Sequence, residues 1–98
     1  MEYTKENIDN VIQKFIERYD GSKTFTEAYE KNVPFYFKRH KTLIVPSSMV
    51  NLEFGCSEFR MDTRLTEELK KYGARRCTRQ IYKNGVSNTS VLCWVFSV

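Results

Sequence analysis

Basic side chains that could bind a polyanion are concentrated in the later part of the chain. Residues 31–98 hold twelve basic and five acidic side chains, a net charge of +7, whereas residues 1–30 carry a net charge of −3. Residues 74–79, the most basic stretch, hold three arginines and no lysine. The guanidinium of arginine suits paired hydrogen bonds to phosphate. This distribution favours nucleic acid as the partner, and an ordinary solvated basic surface is the alternative.

The candidate nucleic-acid-binding residues form two groups, one at the start of a predicted helix and one after its end. The first contains Arg60, Thr63 and Arg64, with Lys71 further along the outward side. The second runs into a predicted hairpin and contains Arg75, Arg76, Arg79, Tyr82, Lys83 and Asn84. The first group is placed to reach base edges, and the second is placed to follow a phosphate backbone.

These two roles predict different effects of substitution. If Arg64 reads a guanine, Arg64→Ala should relax the preference at one base, whereas loss of Arg76 should weaken binding to all sequences alike. Glu67 and Glu68 would lie near phosphates if the whole helix entered a groove. We therefore expect contact through the first turn of the helix, with affinity that falls steeply as salt rises.

A smaller patch of aromatic and basic residues lies in the segment 34–41. Its candidates are Tyr36, Lys38, Arg39 and Lys41. Aromatic rings beside cations can stack on unpaired bases, and Tyr82 offers a similar ring in the hairpin, so single-stranded DNA is one expected ligand beside duplex DNA. The alternative is that the aromatics belong to the core and the cations to a solvated corner. The segment itself fits either a kinked helix or an extended chain.

No set of residues has the spacing of an active site or a metal site. His40 has no evident nucleophile as partner, Cys56 has no activating context, and no Gly-rich phosphate loop is present. Cys56, Cys77 and Cys93 lie 21 and 16 residues apart, which fits no zinc motif. We expect reduced thiols, no cofactor, no metal and no catalytic activity.

The first half of the chain predicts a helix followed by a shorter one. Apolar residues recur at helical spacing from Ile8 to Tyr19, with Thr4 as the expected N-cap and Gly21 as the stop. Thr24 and Glu27 have the spacing of a capping box, which begins the second, shorter helix.

The second half predicts strands around two further helices. A strand is expected over 42–45 and a helix over 49–54, with Ser47 or Ser48 as its N-cap. Another helix over 62–72 ends at Gly73. A half-buried strand over 77–82, a tip of up to eight residues over 83–90 and a strand over 91–96 follow. The last strand is apolar on both faces, which predicts a central position or packing against the first helix.

The order of these elements predicts one α+β domain over residues 1–98. The expected fold is a winged helix-turn-helix with an extra short helical and aromatic segment after the first helix and a C-terminal β-hairpin wing. No apolar run is long enough for a membrane span, and the charged N-terminus is unlike a secretory signal, so we expect a cytoplasmic protein.

The end of the chain resembles the C-terminal winged-helix domain of poxvirus- and phage-type primase-helicases. Leu65, Leu69 and Gly73 are spaced as in that family, basic residues and a Gly-containing turn follow, and Cys93-Trp94-Val95 closes the hairpin. The opening helix is similar at Val11–Ile16. The family usually has Phe where this chain has Leu65, and residues 34–61 have no clear counterpart.

The resemblance implies a free-standing DNA-binding module. The chain has no GxxxxGK[ST] motif, so by this resemblance it would serve the replication enzyme of a phage or mobile element in trans, with a helicase, primase or polymerase as partner. The alternative is a protein-interaction module: an accessory subunit of a polymerase or helicase, or a phage-encoded inhibitor of a host nucleic-acid enzyme. The aromatic content and the two apolar faces of the last strand are the features that favour this alternative.

Overall fold

The computed structural model describes residues 3–57 and 62–98, which form four helices and a four-stranded sheet. The helices are α1 (Lys5–Arg18), α2 (Phe25–Glu30), α3 (Ser47–Glu53) and α4 (Thr63–Tyr72). The strands are β1 (Phe35–Phe37), β2 (Thr42–Pro46), β3 (Arg75–Lys83) and β4 (Val86–Ser97). A short 3-10 turn, Lys38–His40, joins β1 to β2. The fold class is α+β, as the sequence predicts.

The sheet is antiparallel throughout, with the strand order β1-β2-β4-β3. The central position of β4 confirms the expectation from its two apolar faces. Trp94 and Phe96 point to one face, and Cys93 and Val95 point to the other, and all four are buried. A strand covered on both sides needs apolar residues at consecutive positions, which is why β4 lacks the usual alternation.

Helices α1, α3 and α4 cover one face of the sheet, which we call the helix-side face. The apolar stripe of α1, from Ile8 to Phe15, packs there with Leu65 and Leu69 of α4 and with Trp94. Helix α2 covers part of the other face, the α2-side face, where Phe25 and other apolar residues pack against the sheet. Helix α2, which belongs to the extra segment after α1, therefore covers a second hydrophobic core.

Several expected boundaries are shifted. Thr4 caps α1 as predicted, but the helix ends at Arg18 with Tyr19 as its C-cap, and Gly21 adopts its positive φ in the turn that follows. Neither serine caps α3: Ser47 is already helical, and Pro46 precedes it without a side-chain cap. A proline fits this place because its fixed φ suits the residues around a helix start.

The capping box of α2 forms with a changed partner. Thr24 Oγ1 accepts from the Glu27 amide at 3.1 Å, as expected, but the Glu27 carboxylate accepts from the amide of Lys23 rather than from that of Thr24. Residues 34–41 are an extended strand and a 3-10 turn, which settles the open choice against a kinked helix.

The prediction of a wing tip of up to eight residues over 83–90 is wrong. Lys83 pairs directly with Val86, so the hairpin turns through Asn84 and Gly85 alone, and both have positive φ values of 55° and 78°. Two such residues make a type I′ turn, whose twist matches that of the strands, and an Asn-Gly pair favours it strongly. The polar residues after Gly85 belong to β4 and continue the ladder, so polarity alone did not indicate a loop.

Candidate nucleic-acid interface

The start of α4 is fixed by a network of polar contacts with the N-terminal segment. Asp62 Oδ1 accepts hydrogen bonds from the amides of Arg64 and Leu65, and Asp62 Oδ2 accepts from the Tyr3 hydroxyl at 2.8 Å. The Tyr3 hydroxyl also lies 3.4 Å from Cys56 Sγ. These partners, Cys56 first, raise the pKa of Tyr3, and the Tyr3 hydrogen bond is the main cause that lowers the pKa of Asp62.

The network also determines what the start of α4 can offer to a ligand. Because Asp62 already occupies two of the free amides, a phosphate would have to be bound here by side chains rather than by backbone N–H groups. Thr63 and Arg64 are exposed, and the Arg64 guanidinium lies 5.8 Å from the centre of the Tyr3 ring. The ring orients Arg64 beside the helix start. Arg60, the third candidate of this group, lies outside the described residues.

The rest of the outward side of α4 has mixed charge. Lys70 and Lys71 are exposed in the last turn, and Lys71 Nζ lies 3.3 Å from a carboxylate oxygen of Glu68. Glu67 is exposed as well. The free positive charge of this helix therefore lies at its two ends, which fits contact through the first turn.

Strand alternation divides the basic residues of β3 between the two faces of the sheet. Arg76 is opposite Trp94 and shares its helix-side face, whereas Arg75 and Arg79 are opposite Val95 and Val91 on the α2-side face. The sequence predicts that these three arginines share one phosphate-binding surface. In the fold, one ligand lying on one face cannot contact all three.

Arg76 is half-buried against the single tryptophan of the chain. Its guanidinium carbon lies 4.6 Å from the centre of the Trp94 ring, a distance typical of a cation–π contact. Its Nε is buried and has no hydrogen-bond partner among the described residues. Burial lowers the pKa of Arg76 below its usual value, although a guanidinium remains charged at neutral pH. This side chain supports the core, and only part of it faces solvent.

Arg75 and Arg79 are the exposed arginines of β3. The Arg79 guanidinium lies 5.8 Å from the centre of the Phe25 ring of α2. Near it, a groove crosses the α2-side face between α2 and the sheet, and it consists of two adjoining cavities of about 480 and 470 Å³. Arg79 lines both cavities, together with Thr24 and Phe25.

The hairpin tip and the groove adjoin at the backbone of Tyr82, whose amide donates to Thr26 Oγ1 of α2 at 3.2 Å. The Tyr82 side chain is 54% exposed, and because Ile81 faces the α2-side core, strand alternation turns Tyr82 toward the helix-side face. Lys83 and Asn84 are exposed in and beside the two-residue turn. The tip therefore presents one cation and one amide at a two-residue turn.

The aromatic and basic patch has a different geometry from the one expected. Tyr36 is half-buried on the helix-side face, with its ring edge-on to Tyr19 at 6.2 Å. Lys38, Arg39 and Lys41 are exposed in and after the 3-10 turn. Phe37 takes the place expected for Tyr36: it is 41% exposed and stacks on His40 at 4.8 Å, with 17° between the rings.

Sequence reasoning missed Phe37, His40, Phe25 and Lys23, all of which line the first cavity of the groove. The position of Phe37 could have been predicted in part from strand alternation, because if Tyr36 faces one side, Phe35 and Phe37 must face the other. That inference required residues 35–37 to be a strand, and the sequence left this open. The approach of Lys23 and Phe25 depends on how α2 folds back, which local pattern does not indicate.

The thiols and acidic residues do not assemble a metal site in the described part of the chain. No group of three or more His, Cys, Asp or Glu side chains lies close enough there to hold a metal ion. Cys93 is buried, and burial raises the pKa of its thiol to about 12. Cys56 and Cys77 are half-buried and free. Within residues 3–57 and 62–98, no helix has the length and apolar character of a membrane span.

No protein-family model, curated protein or solved structure matches this chain.

Proposed function

We propose that this chain is a winged-helix protein that binds DNA, largely through phosphates, by way of the start of α4 and the β3–β4 hairpin. The element order supports the fold: α1, β2, α3, α4, β3, turn and β4 follow one another as in a winged helix-turn-helix. The three strands of that core pair in the order β2-β4-β3, and α2 and β1 are additions to it.

The observation that carries the proposal is the placement of Arg64. The residue is exposed in the first turn of a capped helix, its guanidinium lies against the Tyr3 ring, and the outward-facing Thr63 adjoins it. In helix-turn-helix proteins the first residues of the second helix of the motif contact the nucleic acid. Lys83 and Asn84 at the hairpin tip supply the second contact, with a phosphate backbone.

The proposed protein has no catalytic role and serves a larger replication enzyme of a phage or mobile element. This part of the proposal rests on the resemblance of residues 65–95 to the C-terminal domain of primase-helicases. A protein-interaction module is the alternative. The main feature that favoured it was β4 with its two apolar faces. From Cys93 to Phe96 both faces are covered within this chain by the two cores, whereas Leu92 is 41% exposed. The apolar character of residues 93–96 therefore needs no partner to explain it.

Fluorescence anisotropy with a labelled mixed-sequence duplex at several salt concentrations tests the proposal. We expect affinity to fall steeply with salt, by a slope of about −0.9 in log K against log salt for each phosphate contact. Arg64→Gln should weaken binding. Arg18→Gln is the matched control, because Arg18 is also exposed and lies 5.7 Å from a phenylalanine ring, but on α1. Absence of duplex binding by the unmodified protein at low salt would refute the proposal.

A further inference from the structure

The groove on the α2-side face combines aromatic rings and cations in a way that the proposed duplex-binding surface does not use. The first cavity is lined by Phe25, Phe35, Phe37, His40, Lys23 and Arg79. The second continues past Arg79 to Gln80 and Tyr82. Each has a volume within the range of small-molecule sites, roughly 300–1,000 Å³.

The charge of the groove selects an anionic ligand. None of the residues that line the two cavities is acidic, whereas Lys23 and Arg79 supply two cations. The nearest acidic residues of the α1–α2 region already have partners: Asp20 and Glu27 both pair with Lys31, at 3.5 and 3.1 Å. This network keeps a net charge of −1 beside the groove, which is smaller than the two positive charges of Lys23 and Arg79 that line it.

The aromatic rings select a planar ligand. Phe37 and His40 form a stacked pair in the first cavity, and the Phe37 ring is 41% exposed. Nucleobases stack well on an exposed ring of this kind regardless of sequence. Arg79 lines the same cavity and the adjoining one, where the phosphate that links successive nucleotides would pass.

We infer that this groove binds a single-stranded nucleic acid, with a base stacked on Phe37 and the phosphate backbone held by Arg79 and Lys23. The groove lies across the sheet from α4, so it is separate from the contacts proposed for Thr63 and Arg64, and it adjoins the hairpin tip only at Tyr82. Single-strand binding at the groove and duplex binding at α4 can therefore fail independently.

Anisotropy with labelled oligothymidine and with a labelled duplex, on the same variants, tests this inference. Phe37→Ala should weaken oligothymidine binding roughly five- to 150-fold, the range found when one base-stacking ring is removed, and should leave duplex binding unchanged. Arg79→Gln should weaken oligothymidine binding and reduce its salt slope by about 0.7.

Two matched controls separate a lost contact from a disturbed fold. Tyr29 is 40% exposed, packs on the Phe25 ring and lines neither cavity, so Tyr29→Ala removes a comparably exposed ring that the proposed strand does not contact. Arg18→Gln removes a comparable cation on the other side of the molecule. Both controls should bind oligothymidine like the unmodified protein.

Three outcomes would overturn the inference. One is oligothymidine binding that Phe37→Ala and Arg79→Gln leave unchanged. Another is an equal loss of duplex binding in these variants, which would place both ligands on one surface. The third is competition by thymidine monophosphate as effective as competition by the oligomer, which would make the groove a pocket for a free nucleotide rather than for a strand.

Discussion

Arg76 gives the sharpest test of how the fold distributes its cations. It follows Arg75 directly, and in sequence the two are equivalent candidates for phosphate contact. In the structure Arg75 is exposed on the α2-side face, whereas Arg76 packs on Trp94. We predict that Arg76→Met leaves the salt dependence of duplex binding unchanged, and that Arg76 contributes to stability instead.

The expected change in the free energy of unfolding follows from two opposing contributions at Arg76. Replacing Arg76 by Met removes a partly desolvated cation–π contact, which contributes about 1–2 kcal/mol. The same change removes a buried N–H donor that has no partner among the described residues, and such a donor costs about 1–3 kcal/mol. The unbranched Met stem keeps the packing on Trp94. Because these contributions nearly cancel, Arg76→Met should change the free energy of unfolding by less than about 1 kcal/mol.

Arg76→Ala should behave differently, since it removes the stem as well. About two buried methylenes are lost, at about 0.8 kcal/mol each, together with the cation–π contact. After the gain from the removed donor is subtracted, a loss of about 1–2 kcal/mol remains. Trp94 is the single tryptophan and lies directly under the substituted side chain, so its fluorescence during urea unfolding reports both variants.

Arg64→Met is the positive control for the binding measurement. It removes an exposed cation from the proposed duplex surface, so the salt slope should fall by about 0.9. The reasoning about Arg76 would be refuted if Arg76→Met reduced the slope by the same amount with its stability intact. The guanidinium would then have to leave Trp94 and reach the DNA in the complex.

Three further predictions concern the fold. Gly85→Ala should destabilise the protein by about 1 kcal/mol, seen as a lower melting temperature, because a side chain at φ 78° is strained; an unchanged melting temperature would contradict the type I′ turn. At pH 8 a thiol reagent followed by mass spectrometry should modify Cys93 far more slowly than Cys56 or Cys77, because burial raises its pKa to about 12; equal rates would contradict its placement in the core. Burial and a hydrogen bond to Asp9 raise the pKa of Tyr72 to about 12. Tyr72 therefore loses its proton at lower pH in the unfolded chain than in the folded one, and the free energy of unfolding should fall between about pH 10 and 12. In Asp9→Asn the tyrosinate absorbance should appear at lower pH.

Most helices and strands could be predicted because their signals are local. The apolar stripe of α1, the Thr24 cap of α2 and the Gly73 stop of α4 each act within a few residues of the chain. The Gly73 amide bonds to carbonyls of the last turn, and its φ of 109° is one that other residues avoid. Such features depend little on the rest of the fold.

The candidate site was less predictable because it depends on contacts between distant segments. The stacking of Arg76 on Trp94 requires the register in which positions 76 and 94 are opposite each other. The groove requires α2 to fold back on the sheet, which brings Phe25 next to Arg79 across more than fifty residues of chain. Charge counting could therefore indicate a polyanion partner, but it could not divide the cations between two faces.

Strand alternation on β3 limits how the basic residues of a small domain can be arranged for binding. Successive residues of a strand face opposite sides of a sheet, so a basic run in a strand cannot form one continuous surface as it could in a loop. An element covering only one face would leave the cations of the other face simply solvated. In this chain α2 covers part of the α2-side face and leaves Arg79 in a groove that Phe37 also lines. Helix α2 is therefore the part that would turn half of a basic strand into a second binding site, on the side of the sheet that α4 cannot reach.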